Sequence, residues 1–347
     1  LLATVPDPRS VGRYKRLEDP LDLILNGVNI PKLQFEDSYK YLGIREGSDS
    51  VNIQFQLTPK LATLRKQVTA LATSGLAPWQ VIKAIKVYVL SQLEYPLRHI
   101  RCTTSELKGF TAHLYKTLRH MLRLPTNTTT AFFAAPLCSG GLGLLPLDEY
   151  RDALLLANAY KLLHSPDSQI QQIARSQLKS VIVHRFNVNE ATLTEGGDQL
   201  LQNFLNGTLA TREILPLKNP KDIPNWWNDL VNVLSRANLQ FSSVGDDHFS
   251  LQTSFCLKPV TVKNVTASIK LQFKVSAATK WAAMKDQGRT VELHGDMGSK
   301  FMSSGVDMWD QDYRFALAGR LNQVDTRSVL KRRRLRPNGD CRHCGSV

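Results

Sequence analysis

The chain has 347 residues, 42% of them hydrophobic, and 44 Lys+Arg against 30 Asp+Glu give it a formal charge of +14 and an isoelectric point near 9.6. That length allows a sizeable core in two or more lobes, and that charge favours polyanions, nucleic acid before anionic membrane. Five scattered cysteines exclude the dense disulfide framework of a small secreted domain and point to a reducing compartment, and no apolar run approaches the ~20 residues that span a bilayer.

In LDLILNGVNIPKL, Asn26-Gly27 between two apolar runs predicts a hairpin with a two-residue turn. SYKYLGI reads as a further strand, with Gly43 as a bend. From residue 58 the period becomes helical, with Leu61, Leu64, Val68 and Leu71 on one face. SGLAPWQ breaks that helix. A second carries Ile82, Ile85, Val89 and Leu93 and is expected to end at Pro96. A third starts at a capping box, Thr103 with Glu106, and its stripe is Leu107, Phe110, Leu114, Leu118 and Met121. Lys108, Lys116, Arg119 and Arg123 fall on its other side, and Pro125 closes it. A Thr-rich connector, PTNTTTAFFAAP, leads to the glycine stretch CSGGLGLLPL.

Helices are predicted at about 148–164, 167–184 and 198–206, in NWWNDLVNVLSRAN, at about 265–286 and at about 310–322. LQFSSVGDDHFSL reads as a hairpin turning at Gly245-Asp246, and KRRRLRPNGD as a basic linker. No internal repeat is present. The composition and pattern predict a mainly α fold with a small β element near the N-terminus.

Five features carry candidate chemistry. Cys341 and Cys344 have the spacing of half a tetrahedral Zn²⁺ site, which needs four ligands to close. Only His343, Cys102, Cys138 and Cys256 could add ligands, and the other reading is an unmetallated, disordered tail. The run Lys331, Arg332, Arg333, Arg334 with Arg336 suits phosphates, or is a solvated linker or a localisation signal. The basic side of the third helix suits a nucleic-acid backbone, or is simply the wet face of an amphipathic helix. Trp79, Trp226, Trp227, Trp281 and Trp309 read as core or anchor residues before base-stacking platforms. Asp246-Asp247 has the look of a polymerase carboxylate pair for two Mg²⁺ ions. That chemistry needs a further Asp from another strand, which the surroundings do not offer, so the pair reads as an acidic turn. No phosphate-binding loop, nucleophile elbow or H-E-x-x-H motif occurs.

The order of FEDSYKYLGI, LAPWQVIKAIKVYVLSQLEYPLRH, LRHMLRLP, GGLGLLPL and CRHC resembles the C-terminal part of non-LTR retrotransposon reverse transcriptases. The closest likeness is to the clade that carries a restriction-like endonuclease and inserts into ribosomal RNA genes. DQGRTV (286–291) and RFALAGRLNQVDTRSVLKRR (314–333) resemble the segment leading to that family's zinc knuckle. The resemblance implies the end of a palm at 1–45, with Lys40-Tyr41-Leu42-Gly43 as its closing strand. It further implies a helical thumb at 46–147, a helical linker at 148–330, and a basic tail with a truncated Cys-Cys-His-Cys knuckle at 331–347.

The family's Asp-Asp hairpin precedes its K-Y-L-G strand, so Asp246-Asp247 is not that motif. The resemblance therefore implies a fragment without catalytic residues, cut from a nuclear protein that performs target-primed reverse transcription with Mg²⁺ and nicks DNA. The expected partners are an RNA template, RNA–DNA duplex, target DNA and the absent palm and endonuclease, with no membrane. The expected cofactor is Zn²⁺, at a site whose remaining ligands would follow Val347. A stand-alone helical interaction module and the inert relic of a decayed element are the alternative readings.

Overall fold

The computed structural model describes residues 4–6, 14–16, 24–29, 38–41, 44–47, 57–99, 102–186, 190–209, 226–243, 249–252, 259–291, 299–305, 307–332, 334–340 and 343–345. The fold is mainly α, and among the described residues the strands form short antiparallel pairs. Strand β1 (Thr4–Pro6) pairs with β2 (Tyr14–Arg16), β3 (Ile24–Leu25) with β4 (Val28–Asn29), and β5 (Ser38–Tyr41) with β6 (Ile44–Gly47). Among the described residues, the N-terminal β element is these three short ladders. Between β3 and β4, Asn26 and Gly27 both have positive φ, 50° and 78°. That is the two-residue turn whose twist matches the flanking strands. Tyr41 pairs with Ile44, while Leu42 and Gly43 lie outside the described residues.

Helix α1 (Leu57–Ala72) buries the expected stripe of Leu61, Leu64 and Val68. Pro78 opens α2 (Pro78–Ala84), where its missing N–H has no partner to lose. The chain continues through a π turn (Ile85–Val89) and a 3-10 turn (Leu90–Leu93) into α3 (Glu94–His99). The expectation that this helix ends at Pro96 is therefore corrected. The 3-10 turn restarts the hydrogen-bond ladder, so Pro96 falls in the first turn of α3, where proline is tolerated.

Helix α4 (Thr104–Met121) begins at the expected capping box. Thr103 Oγ1 accepts from the Glu106 N–H at 3.3 Å, and Glu106 Oε2 accepts from the Thr103 N–H at 3.1 Å. Replacing Thr103 by Ala should cost about 1 kcal/mol, read as a lower urea midpoint with an unchanged slope. The helix stops before Pro125. Leu124 N–H donates to Arg119 C=O and Arg123 N–H to His120 C=O, closing its end around an Arg123 with φ of 55°.

The Thr-rich connector contains a short helix, α5 (Thr130–Ala134). The glycine stretch then folds back along it: Leu142, Gly143 and Leu144 N–H donate to the carbonyls of Phe132, Ala135 and Phe133. A β-carbon on Gly141 would sit 2.3 Å from the Ala135 oxygen, so only glycine allows that approach. Tyr115 Oη donates to Leu144 C=O at 2.7 Å, and Leu147 N–H donates to Thr111 Oγ1 at 2.8 Å, pinning the loop to α4.

Helix α6 (Leu147–Leu163) is apolar nearly all round and stands at the centre. It packs against α3, α4, α7 (Ser168–Phe186), α9 (Trp226–Ala237) and α10 (Val265–Ala282). Its buried Asp152 accepts from Arg236 Nε at 2.9 Å and Nη2 at 2.6 Å, joining α6 to α9. Burial pushes that carboxyl up, and Arg236 opposes the shift. Helix α8 (Glu190–Leu205), longer than expected, breaks its helical geometry at Gly197. Strands β7 (Gln240–Ser243) and β8 (Phe249–Gln252) form the predicted hairpin. Helices α11 (Phe301–Ser304), α12 (Asp310–Arg320) and α13 (Arg327–Arg332) complete the chain.

One contiguous apolar cluster runs from Leu57 to Leu321. The α10 end of DQGRTV is part of its frame: Trp281 Nε1 donates to Gln287 C=O, while the Gln287 amide accepts from Thr129 N–H and donates to Asn127 C=O.

Candidate nucleic-acid interface

The inner face of α4 is fixed by Leu107, Phe110, Leu114 and Leu118, all buried. Its opposite side must therefore face water. Lys108 and Lys116 are exposed there, and Arg123 is exposed just past the helix end, all open to a phosphate backbone. Arg119 is not among them. Its Nη2 donates to Thr128 C=O at 2.9 Å, and its guanidinium lies 5.3 Å from the Phe133 ring centroid. Burial holds its pKa below the usual range, and the group serves to tie the connector to α4.

The basic tail is split between two environments. Lys331 and Arg332 close α13 rather than belonging to a linker, and Lys331, Arg334 and Arg336 are exposed. Arg333 and Cys341 lie outside the described residues, whereas His343 and Cys344 sit exposed in a turn. Among the described residues, no group of three or more His, Cys, Asp or Glu side chains gathers to hold a metal ion. Cys102, packed against the core, has its thiol pushed up to about 11 by burial, the opposite of a thiolate ligand's environment. Asp246 and Asp247 lie between β7 and β8, outside the described residues. Among the described residues, no helix is long and apolar enough to cross a membrane.

The tryptophans divide sharply. Trp227 and Trp281 are fully buried, Trp226 stacks on Trp227, and Trp79 lies against Tyr313. Trp309 is 80% exposed, its ring open for stacking.

Two groups escaped the sequence reading. Glu94 accepts from Tyr150 Oη at 2.6 Å and Lys270 Nζ at 2.7 Å, a neutralised cluster joining α3, α6 and α10. Lys86 in the π turn and Lys274 on α10 approach one another beside Gly143. No local pattern signals that meeting, because the π turn and α10 are far apart in the chain.

No protein-family model matches the chain. It is similar to the Retrovirus-related Pol polyprotein from type-1 retrotransposable element R2 of Popillia japonica, with 26% identity over 172 residues. That match covers 50% of this chain and 34% of that protein. The corresponding protein of Nasonia vitripennis is 28% identical over 179 residues, 51% of this chain and 16% of that protein. An uncharacterized protein of Caenorhabditis elegans is 24% identical over 311 residues, 86% of this chain and 87% of that protein. The chain thus spans about a third or less of the two Pol polyproteins. These partial likenesses support a retrotransposon-related protein.

Proposed function

We propose that this chain grips nucleic acid for a retrotransposon reverse transcriptase in the nucleus, holding an RNA template or RNA–DNA duplex, or the target DNA, by its backbone. The region 46–147 acts as the thumb, 148–330 as the linker, and the tail from Lys331 to Arg336 as a second phosphate contact. The observation that carries this reading is the exposure of Lys108 and Lys116 on a helix whose other face is locked in the core, with exposed Arg123 just past its end. The net charge of +14 and the partial likeness to Pol polyproteins support it. No catalytic role falls to these residues.

The test is a salt titration of RNA–DNA duplex binding. With Lys108, Lys116 and Arg123 all changed to Ala, the slope of log affinity against log salt should flatten by roughly two to three. Affinity at low salt should fall on the order of 100-fold, with the melting temperature little changed. Arg119 is left in place because its role is in packing. Unchanged slope and affinity would mean that the face is only solvated. Binding by the exposed apolar residues Ile24, Leu25 and Val28 of the β3–β4 hairpin favours a protein partner instead, and complexes of that kind would persist at high salt.

A further inference from the structure

The π turn, the glycine loop and α10 converge on one small space. A β-carbon on Gly143 would lie 3.5 Å from Lys86 Nζ and 3.8 Å from Lys274 Nζ. Gly143 has φ of 67° and carries no side chain, and both ammonium groups come within ordinary contact distance of the place a β-carbon would take. Three separate elements hold this geometry. Lys86 is carried on the π turn, an irregularity that re-aims side chains and clusters at functional sites. Lys274 projects from the middle of α10. Gly143 is fixed by its N–H bond to Ala135 C=O at 2.8 Å.

The charges there are not neutralised as neighbouring ones are. One turn away on α10, Lys270 is paired with Glu94 at 2.7 Å. Among the described residues, neither Lys86 nor Lys274 has a carboxylate or hydrogen-bond partner. The titratable neighbours that act on the pair are Lys270 and the exposed thiol of Cys138. Burial, with Lys274 close by, brings the Lys86 ammonium down to about 8, and burial also lowers Lys274. Two half-buried like charges converging on one loop destabilise the fold unless an anion joins them.

We infer that Lys86 and Lys274, with the loop at Gly143, form a cradle for one phosphate group of the bound nucleic-acid backbone. The inference rests on the nucleic-acid reading above for the source of the phosphate, but not for the site itself. A tetrahedral oxyanion suits two convergent ammonium donors, and Gly143 sets no side chain between them and the loop. The cradle lies on the π turn and α10, so it supplies a contact separate from the α4 row.

The test uses the full chain with Lys86 and Lys274 both changed to Met, which keeps the apolar stems. A second pair, Lys83→Met with Lys280→Met, removes two exposed charges from the same stretches of chain as a control. At matched ionic strength, inorganic phosphate in place of chloride should raise the melting temperature of the unaltered chain by about 1–2 °C. It should do the same for the control pair and nothing for the cradle pair. On RNA–DNA duplex at physiological salt, the cradle pair should bind roughly 10-fold more weakly, with a salt slope smaller by about one.

In the absence of phosphate the cradle pair should melt no lower than the unaltered chain, since like charges have been removed, so loss of binding will not be loss of fold. Equal phosphate protection in the unaltered chain and the cradle pair overturns the site. An unchanged duplex slope in the cradle pair, with the α4 triple variant defective, overturns the cradle and leaves the α4 grip standing. Lysine-dependent phosphate protection in a chain that does not bind duplex overturns the nucleic-acid source and the grip reading together, and assigns the cradle to free phosphate.

Discussion

Changing Gly288 to Ala should destabilise the protein by about 2–4 kcal/mol, measured as a fall in the urea midpoint. A β-carbon there would stand 2.2 Å from the Trp281 oxygen and 2.6 Å from the oxygens of both Ala282 and Met284. All three are backbone carbonyls at the end of α10, so no side chain can swing aside to make room. The turn itself must shift, and with it Gln287, whose amide bridges Thr129 N–H and Asn127 C=O. Those bonds tie the end of α10 to the connector beneath α5. Gly75, between α1 and α2, has nothing within 4 Å of the place a β-carbon would take and serves as the control. Gly75→Ala should leave stability unchanged or raise it by up to about 1 kcal/mol, through the unfolded chain. Equal effects at the two positions would show that the close approach at Gly288 is relieved at no cost.

Changing Trp281 to Ala should cost about 3–5 kcal/mol, whereas changing Trp309 to Ala should cost less than about 0.5 kcal/mol. Trp281 is fully buried, meets Phe132 edge to face with centroids 5.3 Å apart, and donates its indole N–H to Gln287 C=O at 2.8 Å. Its removal leaves a cavity under α5 and strands the Gln287 carbonyl. Trp309 is 80% exposed and has little packing to lose. If Trp309 stacks on bases, its Ala variant will instead weaken single-stranded RNA binding at constant melting temperature. Thermal melts and RNA titrations on both variants separate the two roles. A large stability loss at Trp309 would show that its ring covers apolar surface.

Features that depend on near neighbours could be read before any fold was known. The Asn26-Gly27 turn follows from two residues that tolerate positive φ. The start of α4 follows from Thr103 and Glu106 satisfying each other's backbone N–H groups. The stripes of α1 and α4 follow from a 3.6-residue period, which also sets Lys108 and Lys116 facing water. The marks of resemblance, Gly-Gly-Leu-Gly and DQGRTV, were visible as strings. Their physical content is the close backbone approach at Gly141 and at Gly288, which no string reveals.

Pro96 shows where local reasoning stops. Proline forbids one hydrogen bond in a continuing helix, but packing of Leu93 and Leu97 in the core rewards a chain that changes ladder and goes on. Arg119 shows the same limit for charge. Its helical position is shared with the exposed Lys116, yet a carbonyl and an aromatic ring supplied by the connector turn it inward. Lys86 and Lys274 are the extreme case, since each alone reads as a solvated helix lysine. The helices, their wet and dry faces and the excess of positive charge follow from periodicity and composition, so the string of residues suffices for them. Which charges meet, which tryptophan stays open and which glycine must remain glycine are matters of three-dimensional packing, because they depend on atoms brought together from distant parts of the chain.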